Sequence, residues 1–114
     1  DAVLIACYHP FANWHRTVGG KEWRGVRTSR YTYVRDRQGP WLLYDNQSDP
    51  YQLKNLCGAP EAAELQTSLE ETLQKLLASQ NDSFESGEAL LAKWSYVETN
   101  KHVYKEAGQR GRRP

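Results

Sequence analysis

The sequence has no methionine, only two cysteines and two phenylalanines, and no excess of charge: fifteen Lys and Arg stand against fourteen Asp and Glu, a formal net charge of +1. Each shortage excludes something. Near-neutrality leaves no global field to draw the chain toward nucleic acid or an anionic membrane. No apolar run approaches the roughly 20 residues a membrane-crossing helix needs, so no membrane partner is expected. Cys7 and Cys57 lie far apart and lack the close pair spacing of a zinc or redox site, which leaves them as free core thiols or as one disulfide. The chain opens on Asp1 with no basic-then-apolar leader, which reads as an excised or processed fragment and leaves its compartment open.

What is present fits one modest layered domain. The 114 residues are 39% hydrophobic and 25% charged, ordinary values for a chain with a single small core. Residues 1–107 are expected to form that domain. The last residues, GQRGRRP at 108–114, offer nothing apolar to bury and are expected to be a mobile basic tail. Charge is uneven along the chain: Arg24, Arg27, Arg30, Arg35 and Arg37 crowd the middle, while Glu61, Glu64, Glu70 and Glu71 crowd a later segment.

The organising stretch is Trp23 to Leu56. Before it, Val3 to Tyr8 is an apolar run closed by His9-Pro10, and it predicts a buried strand inside a sheet. The segment HPFANWHRTVGG from His9 to Gly20 has loop composition but carries two histidines and a tryptophan, which makes it the best local candidate for a ligand contact. Trp23 to Thr28 and Tyr31 to Arg35 flank Ser29-Arg30 as a tight hairpin would, although the favoured Asn-Gly pair is absent. Asp36 to Pro40 supplies the next reversal, and Trp41 to Tyr44 a further strand, so an antiparallel meander follows. The dense turn DNQSDP at Asp45 to Pro50 then redirects the chain.

Pro60 fits the first turn of a helix, and Leu65, Leu69, Leu73, Leu76 and Leu77 fall on one side of it. That stripe predicts a long helix lying on one face of the sheet. Ser79 to Ser83 closes it, and Ser86 to Glu98 allows a second, shorter helix with Leu90, Leu91, Trp94 and Val97 on one side. The expectation is an α+β fold: a small antiparallel sheet of about four strands with the long helix of the second half packed on one face.

The run GVRTSRYTYVRD followed by GPWLLYDNQSDPYQLKNL strongly resembles the C-terminal subdomain of the type I sulfatases, relatives of alkaline phosphatase. The most specific residues are Arg27-Thr28, Arg30-Tyr31, Leu43-Tyr44-Asp45, Asp49-Pro50 and Asn55-Leu56. Gly19-Gly20 before Trp23-Arg24, and Phe84, Gly87-Glu88, Lys93-Trp94 and Tyr96 later, extend the resemblance over most of the chain. It implies a subdomain docked beside a larger α/β catalytic domain that hydrolyses sulfate esters. In such enzymes the nucleophile is a formylglycine made from Cys or Ser in a Cys/Ser-x-Pro-x-Arg motif, and a calcium ion is held by carboxylates. Neither is expected from this chain. Cys7 and Cys57 have their prolines one position too late and no arginine, and Ser48-Asp49-Pro50-Tyr51-Gln52 ends in glutamine. The family's adjacent aspartate pair has no counterpart, and Asp45-Asn46 reads as a turn element. Formylglycine and calcium are thus implied only for a parent enzyme, and the chain alone is expected to be inactive.

The functional expectation is the non-catalytic C-terminal part of a sulfatase, supporting the catalytic domain and shaping substrate access. His9, Trp14 and His15 are candidates for the rim of the substrate cleft, against the bland reading of solvated loop side chains. Arg27 and Arg30 are candidates for pairing with acidic groups of the catalytic domain, against a solvated strand face. Two alternatives come from other classes. Tyr31, Tyr33 and Arg35 alternate as a base-stacking sheet for single-stranded nucleic acid would, although the net charge argues against it. A subdomain without its partner would also expose apolar surface and self-associate as a homo-oligomer.

Overall fold

The computed structural model describes residues 1–10 and 12–94. Four strands, β1 (Val3–Cys7), β2 (Trp23–Arg27), β3 (Tyr31–Asp36) and β4 (Pro40–Asp45), pair in chain order as an antiparallel meander, and the helices α1 (Ala63–Ser79) and α2 (Gly87–Lys93) follow. The α+β architecture read from the sequence is therefore the one observed. One placement is corrected. β1 pairs with β2 and lies at the edge of the sheet, not inside it. Its apolar run marks a strand, but the position of a strand in a sheet depends on pairings that the run does not encode.

The hairpin between β2 and β3 turns on Ser29-Arg30, neither of which takes positive φ, so the chain needs no Asn-Gly here. The Thr28 hydroxyl replaces that geometry by accepting from the amides of Arg30 (3.2 Å) and Tyr31 (2.9 Å). In the DNQSDP turn the Asp45 carboxylate accepts from the Gln47 amide at 3.1 Å, and Asp49 accepts from the amides of Leu53 and Lys54 at 3.0 and 2.8 Å. Asn55 then works as a substitute strand along β4. Its Oδ1 accepts from the Leu43 amide (2.9 Å), its Nδ2 donates to the Trp41 carbonyl (2.9 Å), and the next residue, Leu56, donates to the Leu43 carbonyl (2.8 Å).

Strand register separates the two faces of the sheet. Val26, Tyr33 and Leu43 are cross-strand neighbours, and all are fully buried against Leu69, Leu73 and Leu77 of α1. Leu65 and Leu76 flank this core half-buried. Full burial of a leucine is worth about 1.5–3 kcal/mol before chain entropy is subtracted, so the stripe is sufficient to hold α1 on this face. Polar groups tie the same layers: the Tyr33 hydroxyl donates to Glu70 at 2.7 Å, and Arg35 pairs with the same carboxylate.

The other face is a row running Ile5, Gly25, Val34 and Leu42 across the four strands, flanked by Trp23 and Tyr44. Ile5, Trp23, Leu42 and Tyr44 stay only half-buried there, and Val3 is 62% exposed.

α1 closes on a Schellman motif. Asn81 takes left-handed φ (52°), its amide donates to the Ala78 carbonyl, and the Asp82 amide reaches the Leu77 carbonyl at 2.9 Å. The expected second helix forms over Gly87–Lys93, with the Ser86 hydroxyl accepting from the Ala89 amide. Tyr96, Val97 and the tail at 108–114 lie outside the described residues.

Candidate functional site

Antiparallel order puts the end of β1, the start of β2, the end of β3 and the start of β4 at one end of the sheet. His9, Trp14 and His15 are gathered at this end. Arg27 and Arg30 sit at the opposite end, about 17–20 Å away along strands of five to six residues.

Trp14 belongs to a short 3-10 turn, Ala12–Trp14, and its ring stacks on Trp41 with centroids 6.2 Å apart and planes 6° from parallel. A glycine makes the turn possible: a Cβ on Gly20 would fall 1.6 Å from the Trp14 carbonyl oxygen. The Gly20 and Val18 amides both donate to the His15 carbonyl, and His15 Nδ1 accepts from the Thr17 amide, so the loop is held by its own backbone. Trp41 is equally well fixed. It is the extra residue of a β-bulge, since Val34 pairs with Leu42 while Arg35 pairs with Pro40. The Lys21 ammonium sits 3.8 Å from the Trp41 ring centre and 2.7 Å from Asp36. Burial pushes the Asp36 carboxyl up, but Lys21 and the amides of Gly39 and Gln38 outweigh it, and the net displacement is downward.

His9 faces inward rather than toward a cleft: a Cβ on Gly87 would fall 2.0 Å from its Nδ1. The neighbouring Glu22 is 3% exposed, accepts from the Gly87 amide at 2.8 Å and pairs with Arg16, which also binds Glu88 at 2.7 Å. This network fastens the loop to the start of α2.

Sequence reasoning missed Arg24. Its side chain is fully buried, its Nε is 2.5 Å from Asp82, and it donates to the Cys7 carbonyl at 3.1 Å. Tyr8 and Phe84 lie against the guanidinium, at 4.3 and 4.6 Å. Phe84 holds φ at +54°, a conformation a bulky side chain adopts only when its surroundings impose it. The only signal in the sequence was one arginine at an inward position of a strand, and inward arginine needs a distant carboxylate that local pattern does not name. Asp82 also lines a cleft of about 400 Å³ with Tyr8, Leu90, Leu91, Lys93 and Trp94.

At the far end, Arg30 grips Asp45 through two bonds of 3.0 and 2.8 Å, and that guanidinium holds the Asp45 carboxyl well below the usual carboxylate range. Arg27 is exposed. The base-stacking alternative is corrected here. Tyr33 lies beneath α1 with no exposure and Arg35 is committed to Glu70, so this face cannot receive a base. Cys7 and Cys57 are both free thiols, and burial pushes both upward in pKa.

The residues present do not fit a calcium ion. Asp36, Asp45, Asp82, Glu22 and Glu70 are each paired with Lys or Arg, and no three His, Cys, Asp or Glu among the described residues converge as a metal site would. No described helix is long and apolar enough to cross a membrane.

Comparison with known proteins adds a family. The family model described as N-sulphoglucosamine sulphohydrolase, C-terminal, matches residues 4–79. The ulvan-active sulfatase of Formosa agariphila is 42% identical over 95 residues, which cover 83% of this chain and 18% of that protein. A protein solved in complex with its substrate D-glucosamine-2-N,6-O-disulfate shares the fold, with a TM-score of 0.62 at 24% identity over 76% of this chain and 17% of its own. A candidate sulfatase of Bacteroides fragilis, yidJ, gives a TM-score of 0.51 at 26% identity over 72% of this chain and 17% of its own. The chain thus spans about a sixth of the length of these relatives. A sheet closed by one helix, a β4 edge stitched by Asn55, and a family match over residues 4–79 converge: the chain belongs to the family of sulfatase C-terminal domains.

Proposed function

We propose that this domain is the non-catalytic C-terminal part of a sulfatase acting on a sulfated saccharide, and that it supports a catalytic domain while its loop 9–20 borders the substrate cleft. The observation that carries the reading is the family match over residues 4–79, together with 42% identity to an ulvan-active sulfatase of which the chain spans 18%. The half-buried face around Ile5, Trp23, Leu42 and Tyr44 is the surface such a catalytic domain would cover, because apolar groups left partly wet gain most from a partner. Arg27, exposed at the end of that face, would meet a carboxylate across the seam; Arg30, already engaged with Asp45, has less to offer. Formylglycine and calcium would come from the catalytic domain, whose chemistry they supply when bound. This chain's own residues would orient saccharide and exclude water at the rim.

Sulfate release from an aryl sulfate tests the division of labour. The purified 114-residue chain is expected to release none above a blank, whereas a longer protein carrying it, with a Cys/Ser-x-Pro-x-Arg motif upstream, is expected to turn over. Turnover by the chain alone would sink the proposal. Self-association of the isolated chain through the same open face is a second reading, and a strict monomer by light scattering at high concentration counts against it.

A further inference from the structure

We propose that the outer face of Trp14 is a stacking platform for one pyranose ring of the saccharide, with Trp41 and Lys21 as its backing. The inference rests on the saccharide reading above and deepens it by naming the residue and the part of the ligand.

Three independent features lead there. Trp14 is 36% exposed although its ring is stacked on Trp41, so part of a large apolar side chain stays in water at this end of the sheet. A tryptophan whose task was to cover Trp41 would gain by sinking further, and the Lys21 ammonium already sits on Trp41 at 3.8 Å. The support is rigid on both sides. Gly20 permits the Trp14 turn and no larger residue would, and the β-bulge turns Trp41 out of the strand alternation while Asn55 satisfies its carbonyl. An aromatic side chain fixed by a bulge and a glycine turn loses little freedom on binding, which is the property a recognition group needs.

The chemistry of the ring selects the ligand. An indole face carries negative quadrupole charge, and the axial C–H groups on one side of a pyranose carry weak positive charge and no hydrogen-bonding hydroxyls, so the two flat surfaces attract in water. Lys21, on the Trp41 ring and shared with Asp36, carries positive charge at the same end of the sheet, suited to a sulfate on a neighbouring sugar. A free sulfate ion offers no C–H face and would gain nothing from Trp14.

The test is a calorimetric titration of the chain with a tetrasaccharide prepared from ulvan and with the same tetrasaccharide after desulfation. Both are expected to bind, the sulfated form more tightly. Trp14→Ala is expected to weaken both by about tenfold, which is about 1.4 kcal/mol, and Trp14→Tyr to restore most of the loss. Circular dichroism checks that the variants fold. Saturation-transfer NMR on the unmodified chain gives a readout that needs no variant: the protons of one sugar face should receive most of the transferred signal. Unchanged affinity in Trp14→Ala, no binding of the desulfated sugar, or signal spread evenly over the sugar would each overturn the platform. Failure of the longer protein to release aryl sulfate would instead sink the sulfatase proposal and leave the titration standing.

Discussion

The two faces of one sheet have opposite characters. Under α1, Val26, Tyr33, Leu43 and Leu73 are all fully buried, and the polar groups that enter this layer are paired: Tyr33 and Arg35 with Glu70, Arg24 with Asp82. On the other side Ile5, Trp23, Leu42 and Tyr44 remain half-wet and Val3 stands 62% exposed. The difference separates a closed stability core from an open, half-wet face, and the open face is the one we propose the catalytic domain covers.

The comparison breaks most visibly at Arg24. Arg24→Met leaves Asp82 buried without its partner and removes the group on which Tyr8 and Phe84 rest. A loss of about 3–5 kcal/mol in urea unfolding is expected. Cost below about 1 kcal/mol would show that the clasp between β2 and the end of α1 is ornamental.

Leu73→Ala comes next, at about 2–5 kcal/mol, because Leu73 has no exposure and the core cannot close over the void. Leu42→Ala on the open face is its control. It should cost the isolated chain about 1 kcal/mol, since a half-exposed leucine has less burial to lose. Equal costs at the two leucines would erase the distinction between the faces.

A pH series sharpens the same contrast. Burial pushes the Glu70 carboxyl up, but Tyr33, Gln74 and Arg35 together pull it down further, so its folded pKa lies below the unfolded value. Stability from this group is then complete above about pH 4.3 and is lost as pH falls through the folded pKa. Burial and the Glu70 carboxylate push the Tyr33 phenol the other way, upward, so its contribution is complete below about pH 10 and is lost above it. Glu70→Gln should flatten the acid limb, and Tyr33→Phe the alkaline one, in thermal melts at each pH.

The smallest effect is expected at Arg27, exposed at the rim of the open face. Arg27→Glu should leave the melting of the isolated chain unchanged and weaken its association with a separately produced catalytic domain. A shift in the melt with no change in association would move Arg27 from the interface into the fold.

Much of this was legible in local pattern. A two-residue gap at Ser29-Arg30, an Asp-Gly-Pro reversal and leucines at helical spacing act within a few residues of themselves, so the hairpin, the meander and α1 could be read before any pairing was known. Arg27 and Trp14 were likewise singled out, but which of their neighbours were already engaged was not. Arg30 and His9 carry the same residue signals, yet one is bound to Asp45 and the other is packed against Gly87. Partners 15 and 78 residues away in sequence are invisible to a local reading.

By itself, then, the sequence determined the alternation of strand and turn, the leucine stripe that must find a sheet, and the motif from Arg24 to Leu56 that places the chain in its family. Only the tertiary structure decided that β1 takes the edge, that Arg24 is a buried clasp, that Asn55 stands in for a strand, and that a bulge sets Trp41 beneath Trp14. The physical reason is common to all four. Each depends on contacts between residues distant in sequence, a backbone ladder for β1, an ion pair for Arg24, side chain to backbone bonds for Asn55 and a ring contact beside a bulge for Trp41, and such contacts acquire a meaning only when the fold brings both halves together.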